Sequence, residues 1–134
     1  MSDFFSSIVL TYKGKMLLLS PDTPQISPSQ YAWDLIGGRY TDTESSEQSI
    51  QRKIKHITKL DLKNIKLLAS KLQNRNECIY HGELSDSDVN SMQRREGQRL
   101  EFYTLTELEK LTLSHAAAGL LAEYKEAVEE LLGK

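Results

Sequence analysis

The stretch Trp33-Asp-Leu-Ile-Gly-Gly-Arg-Tyr-Thr-Asp-Thr-Glu-Ser-Ser-Glu-Gln-Ser-Ile-Gln-Arg-Lys-Ile-Lys-His-Ile-Thr-Lys-Leu60 decides the fold. It opens on an apolar segment closed by two glycines, Gly37 and Gly38. Then come a polar loop and a helix. Ser45 and Gln48 have the spacing of a capping box, in which each satisfies a backbone N–H at the helix start. Ile50, Ile54 and Ile57 follow at i, i+4 and i+7, one apolar stripe. Arg52, Lys55, His56, Lys59 and Lys63 fall on the other side of the same helix. The stretch therefore predicts a strand, a glycine turn and a helix with one buried and one basic face.

Upstream, Ser7–Tyr12 and Lys15–Ser20 are rich in aliphatic and β-branched residues and flank Lys13-Gly14, which predicts a hairpin. All three prolines, Pro21, Pro24 and Pro28, come next and mark a loop. The spacing then predicts a short strand over Tyr31–Ile36, ended by Gly37-Gly38. Downstream, Ile65–Leu72, Glu77–Leu84 and Arg99–Leu105 read as strands. Ser85–Glu96 is polar, with a short helix at its start. Thr106 and Glu109 repeat the capping-box pattern. Ser114 caps a last helix running to about Leu132, with Ala117, Leu121, Tyr124, Val128 and Leu131 on one face. Strands mixed with helices in this order predict an α/β sandwich with a mixed sheet.

Composition bounds the function. The chain has 134 residues, which suits a single domain over 1–134. With 39% hydrophobic and 27% charged residues it has the make-up of a globular protein. Cys78 is the one cysteine. It allows neither an intramolecular disulfide nor a cysteine zinc site, and fits a reducing, cytoplasmic setting. Cys78 reads as a core residue, and His81 and His115 have no partners at ligand spacing. No run approaches a membrane span, the longest candidate being Met16–Leu19, and the first residues lack the basic region of a signal peptide. A net charge of −2 argues against general nucleic-acid binding. That average hides a block: residues 51–75 hold eight basic side chains and one acidic. Such a block is either a solvated helix face or an anion site.

Trp33–Leu60 resembles the Nudix box, the signature of hydrolases that cleave nucleoside diphosphates linked to another moiety. Gly38, Glu44, Arg52, Ile54 and Leu60 match its Gly, first Glu, Arg and aliphatic positions without a gap. Trp33-Asp34-Leu35-Ile36-Gly37-Gly38 looks like the family's Trp-x-Leu-Pro-Gly-Gly, with Ile36 where Pro is usual. Thr58 matches a common family residue. Glu96-Gly97 and Phe102–Leu111 resemble the family's late strand and following helix. The resemblance implies a Nudix-type α/β/α sandwich. It also implies a salt bridge between Glu44 and Arg52 that holds the loop on the helix, and leaves a homodimer open.

The departures fall on the chemistry. Where the family carries metal-binding glutamates, this chain has Lys53, His56 and Ile57; where it has Gly, this chain has Lys59. Hard divalent cations need oxygen ligands, which Lys and Ile lack. The expectation is a Nudix fold without metal or other cofactor that binds a nucleotide or another phosphorylated small molecule. Lys53 would meet phosphate oxygens directly. Gly37, Gly38, Arg39, Arg52, Lys53 and His56 are the candidate ligand-binding residues, with Tyr31 and Trp33 to stack a base. Two other readings stay open. One is an active hydrolase with a site rebuilt on Mg²⁺ or Mn²⁺ from Glu44, Glu47, Glu96 and Glu101. The other is a protein-interaction module using the basic helix or the acidic last helix.

Overall fold

The computed structural model describes residues 4–21, 32–93 and 98–133. Strands β1 (Phe4–Tyr12) and β2 (Lys15–Pro21) form the predicted hairpin. Its turn residues Lys13 and Gly14 both have positive φ, 49° and 76°, as the tight two-residue hairpin turn demands. β3 (Ile36–Tyr40), the helix α1 (Ser46–Thr58), β4 (Lys66–Leu72), β5 (Arg75–Glu83), the short α2 (Asp86–Ser91) and β6 (Gln98–Tyr103) follow. The short α3 (Leu105–Leu108), α4 (His115–Glu123) and α5 (Lys125–Leu131) complete the chain. The strands form one mixed sheet in the order β4-β5-β1-β2-β6, with β3 paired to the first half of β1. The β1–β5 pair is parallel, and the other pairs are antiparallel. Among the described residues no helix is long and apolar enough to cross a membrane.

The alternation of β1 divides the core in two. Ile8 and Leu10 point to one face and pack with Ile50, Ile54 and Ile57 of α1. Val9 points to the other, among Leu108, Leu120 and Val128 of α3, α4 and α5. Helices thus cover both faces, giving the α/β/α sandwich. The capping box at Ser45 and Gln48 is present, and the isoleucine stripe is buried. Cys78 is partly buried against the α1-side core.

Three expectations need correction. The strand placed at Tyr31–Ile36 lies later. Trp33 and Asp34 make only isolated bridges, to Leu113 and Leu19, and β3 runs through both glycines. Gly37 and Gly38 stand opposite Ser7 and Ser6 of β1. The approach there is so close that a Cβ on Gly37 would lie 2.3 Å from the Ser6 carbonyl oxygen, so glycine extends the strand rather than ending it. The second capping box uses Thr104 and Glu107, not Thr106 and Glu109. Both pairs have the same spacing; the earlier one sets Leu108 into the core. The last helix is two helices, parted at Tyr124, whose hydroxyl donates to the Lys71 carbonyl. Its buried stripe includes Leu120, while Leu121 is only partly buried.

Candidate functional site

Two features meet at the paired glycines of β3, one on each side of the sheet. On the α1 side, Glu44 in the loop before the helix accepts two hydrogen bonds from Arg52, Nη2 to Oε1 at 2.7 Å and Nε to Oε2 at 3.2 Å. This forked pair ties the loop to the helix, and the Arg52 hydrogen bonds hold the Glu44 carboxyl below its usual range. Directly after Arg52 in the helix, Lys53 lies over Gly38. A Cβ on Gly38 would stand 2.9 Å from Lys53 Nζ and 3.3 Å from its Cε. The missing side chain of Gly38 is thus the space in which the ammonium sits.

The other two positions that resemble metal-ligand sites have different fates. Ile57 is buried in the α1-side core, and His56 is exposed. Lys55 and Lys59 are also exposed. Lys59 ends the helix in the left-handed conformation, φ 70°, where glycine is at ease. Glu47 is exposed in the first turn of α1. Glu101 pairs in register with Leu18, whose side chain belongs to the opposite face, and its carboxylate is 3.8 Å from Arg99. Among the described residues no three of His, Cys, Asp and Glu stand where they could hold a metal ion. With Glu44 engaged by Arg52, the donor set among the described residues does not fit a divalent cation.

On the α4 side a cleft of about 180 Å³ opens between β3, β1, β5 and the start of α4. Gly37 and Gly38 form one edge. Phe5, Leu35 and Ala116 give apolar walls, and Ser7, Asp34, Arg75 and Glu77 give polar groups. Ser7 is 3% exposed, and its Oγ has no hydrogen-bond partner. Glu77 is 2% exposed and is held by Arg75, both of whose contacts, at 2.8 and 2.9 Å, fall on Oε1. The Arg75 guanidinium also stacks on Phe5, 3.9 Å from the ring centre. Asp34 accepts from the Leu35 N–H at 2.8 Å and the Ser114 hydroxyl at 2.6 Å, again both on one oxygen, Oδ1.

The structure therefore brings Gly37, Gly38 and Lys53 together, with the Glu44–Arg52 pair on the same helix and loop. Arg39 is exposed on β3, its guanidinium 5.8 Å from the Phe5 ring. Trp33 is not placed for stacking: it is buried in the α4-side core, edge-on to Tyr103 at 5.1 Å. Tyr31, Glu96 and Gly97, like Pro24, Pro28, Arg94 and Arg95, lie outside the described residues. Sequence reading missed Ser7, Asp34, Glu77 and Arg75. The one local signal was Ser6-Ser7, a polar pair at the head of an apolar strand.

No protein-family model matches this chain, and no curated protein matches it. Solved structures do. The MutT structure described for Aliivibrio salmonicida and Vibrio cholerae superposes with a TM-score of 0.72 at 13% identity, over 98% of this chain and 99% of that one. A mutT/nudix family protein from Listeria innocua gives 0.71 at 18% identity, over 98% of each chain. The Nudix domain of Shewanella oneidensis NrtR, in complex with ADP-ribose, gives 0.69 at 20% identity, over 96% of this chain and 89% of that one. This likeness spans nearly the whole chain: the chain has the Nudix fold.

Proposed function

We propose that this chain uses the Nudix fold to bind a nucleotide or another phosphorylated small molecule, without the metal-dependent hydrolysis associated with the Nudix box. The observation that carries the reading is Lys53 Nζ beside Gly38, at the box position where a metal-binding glutamate is expected. An ammonium there supplies positive charge and three N–H donors directly, at the edge of a glycine backbone that a phosphate can approach. Lys55 and Lys59 add to the field along the same helix. Support for the ligand class comes from the cleft on the other side of the same glycines, lined by both polar and apolar groups, and from the ADP-ribose held by the NrtR domain.

The test is binding of inorganic pyrophosphate and ADP to the full chain in the presence of EDTA. Lys53→Ala is expected to weaken both by about 10-fold or more, the worth of a charge-assisted hydrogen bond. Unchanged affinity in Lys53→Ala, or binding that appears only with Mg²⁺, overturns the proposal.

A further inference from the structure

We infer that the chain associates with itself head to tail, the outer face of α1 in one copy docking on the outer face of α5 in the next. Arg52, Lys55 and Lys59 form one stripe along α1, opposite the buried Ile50, Ile54 and Ile57. Lys55 and Lys59 are exposed and make no ion pair among the described residues. The carboxylates nearby do not neutralise them. Glu44 is held by Arg52, and Asp61 lies 3.5 Å from Lys63. Glu47 sits in the first turn, about 12 Å along the axis from Lys55. On α5, Glu126 and Glu130 stand one turn apart, opposite the buried Val128. Both are exposed, and neither meets a cation among the described residues. Glu123 is exposed beside them, with one oxygen accepting from the Gln73 N–H. Lys125 lies about 100° or more round the helix from both glutamates and lines a groove with Leu105 and Leu108.

The occupant is a second copy because every copy carries both faces. Residues at i and i+4 stand roughly 5–6 Å apart on either helix, so Lys55 and Lys59 can meet Glu126 and Glu130 in one helix–helix contact. The net charge of −2 is too small to oppose that local complementarity. Topology sets the kind of assembly. α1 packs on the sheet face of Ile8 and Leu10, and α5 on the opposite face with Val9. Two patches on opposite faces cannot both meet one partner across a two-fold axis. The contact is therefore heterologous: each pair keeps one free patch at either end and extends into short chains. Exposed ion pairs are individually weak and screened by salt, so the association has a dissociation constant on the order of a millimolar and dissolves as ionic strength rises.

The experiment is sedimentation equilibrium of the full chain at about 1 mM, in about 20 mM and about 300 mM NaCl. At low salt the weight-average mass is expected to exceed the 15.3 kDa monomer by about 1.5-fold and to climb with protein concentration. At high salt it returns to the monomer. Lys55→Glu with Lys59→Glu leaves both faces acidic, and Glu126→Lys with Glu130→Lys leaves both basic, so each double variant alone stays monomeric. Mixed in equal amounts, the two regain the low-salt association, since each offers the other an opposite face. All four positions are exposed, and melting curves check that the variants fold. Should a charge reversal unfold the chain, Lys55→Gln with Lys59→Gln and Glu126→Gln with Glu130→Gln replace it, again with loss of association expected. A wild-type chain that stays monomeric at low salt overturns the inference. So does an assembly that salt leaves intact, one that stops at a dimer, or a mixture no heavier than its separate variants. Phosphate binding is no premise of this contact, so those outcomes leave the Lys53 reading as it stands.

Discussion

On the α1 side of the sheet, the side chain that reaches the β3 glycines ends in a cation, Lys53. On the α4 side, the polar groups that share a cleft with the same glycines are a hydroxyl, two carboxylates and a guanidinium, Ser7, Asp34, Glu77 and Arg75, the last two paired with each other. The two regions are separated by a strand edge that has no side chains at Gly37 and Gly38. The difference lies also in how each side is built. On α1 the basic groups ride on a helix whose inner stripe is closed by Ile50, Ile54 and Ile57, so charge and core are divided by helical period. On the α4 side the polar groups sit within the packing itself, and Ser7 is left unpartnered there.

The sharpest way to break this contrast is to restore a carboxylate at two of the box positions. Ile57→Glu is expected to destabilise the protein by roughly 3 kcal/mol or more, because it buries an unpaired carboxylate where an aliphatic side chain now packs. Lys53→Glu, at a half-buried position beside the glycine strand, is expected to cost far less. Denaturant unfolding of both variants measures this. If Ile57→Glu were as stable as Lys53→Glu, the inner face of α1 would not be the closed surface described here.

The same contrast explains what was legible in the sequence. Helix α1 was, because its signals are local: Ser45 and Gln48 are three residues apart, and the isoleucines repeat with the helix. The Glu44–Arg52 pair is eight residues apart on adjoining elements, and the family spacing pointed to it. The glycines were misread as a strand end because what keeps them in a strand is the close fit to Ser6 and Ser7, some thirty residues away. The choice of Thr104 over Thr106 turned on where Leu108 packs, which capping spacing does not carry. The split at Tyr124 turned on a hydrogen bond to Lys71, fifty-three positions back. The α4-side cleft was not legible at all. Ser7, Asp34 and Glu77 come from separate segments, and only the sheet order sets them side by side.

A smaller effect is expected at the end of α1. Lys59 adopts φ 70° as the helix cap, a conformation that costs a non-glycine residue about 1–2 kcal/mol. Glycine relieves that but adds chain entropy to the unfolded state. Lys59→Gly is thus expected to stabilise by about 0.5–1 kcal/mol, and Lys59→Ala, which keeps the strain, is not. A raised denaturation midpoint in the glycine variant alone supports this reading, and equal midpoints sink it. Lys59→Gly also removes one charge from the basic face, so its effect on pyrophosphate affinity measures how much the outer helix adds to Lys53.

The α4 side has a pH-dependent counterpart. His81 on β5 stands opposite Val9 and shares its face, with Nε2 2.9 Å from the buried Thr11 hydroxyl. Burial lowers its pKa from the ordinary 6.5; Lys66 adds to this and Glu83 opposes it. Above about pH 6.5 the ring is neutral in both folded and unfolded chains, and its contribution is complete. As pH falls below that value the unfolded chain takes up a proton that the folded chain resists, so stability declines until the folded ring also titrates. The effect is the smallest of the three, since the ring is only half-buried. Unfolding free energies measured between pH 7.5 and 5 should fall more steeply for the wild-type chain than for His81→Gln. Parallel curves would place His81 in contact with solvent rather than with the buried Thr11 side of β1.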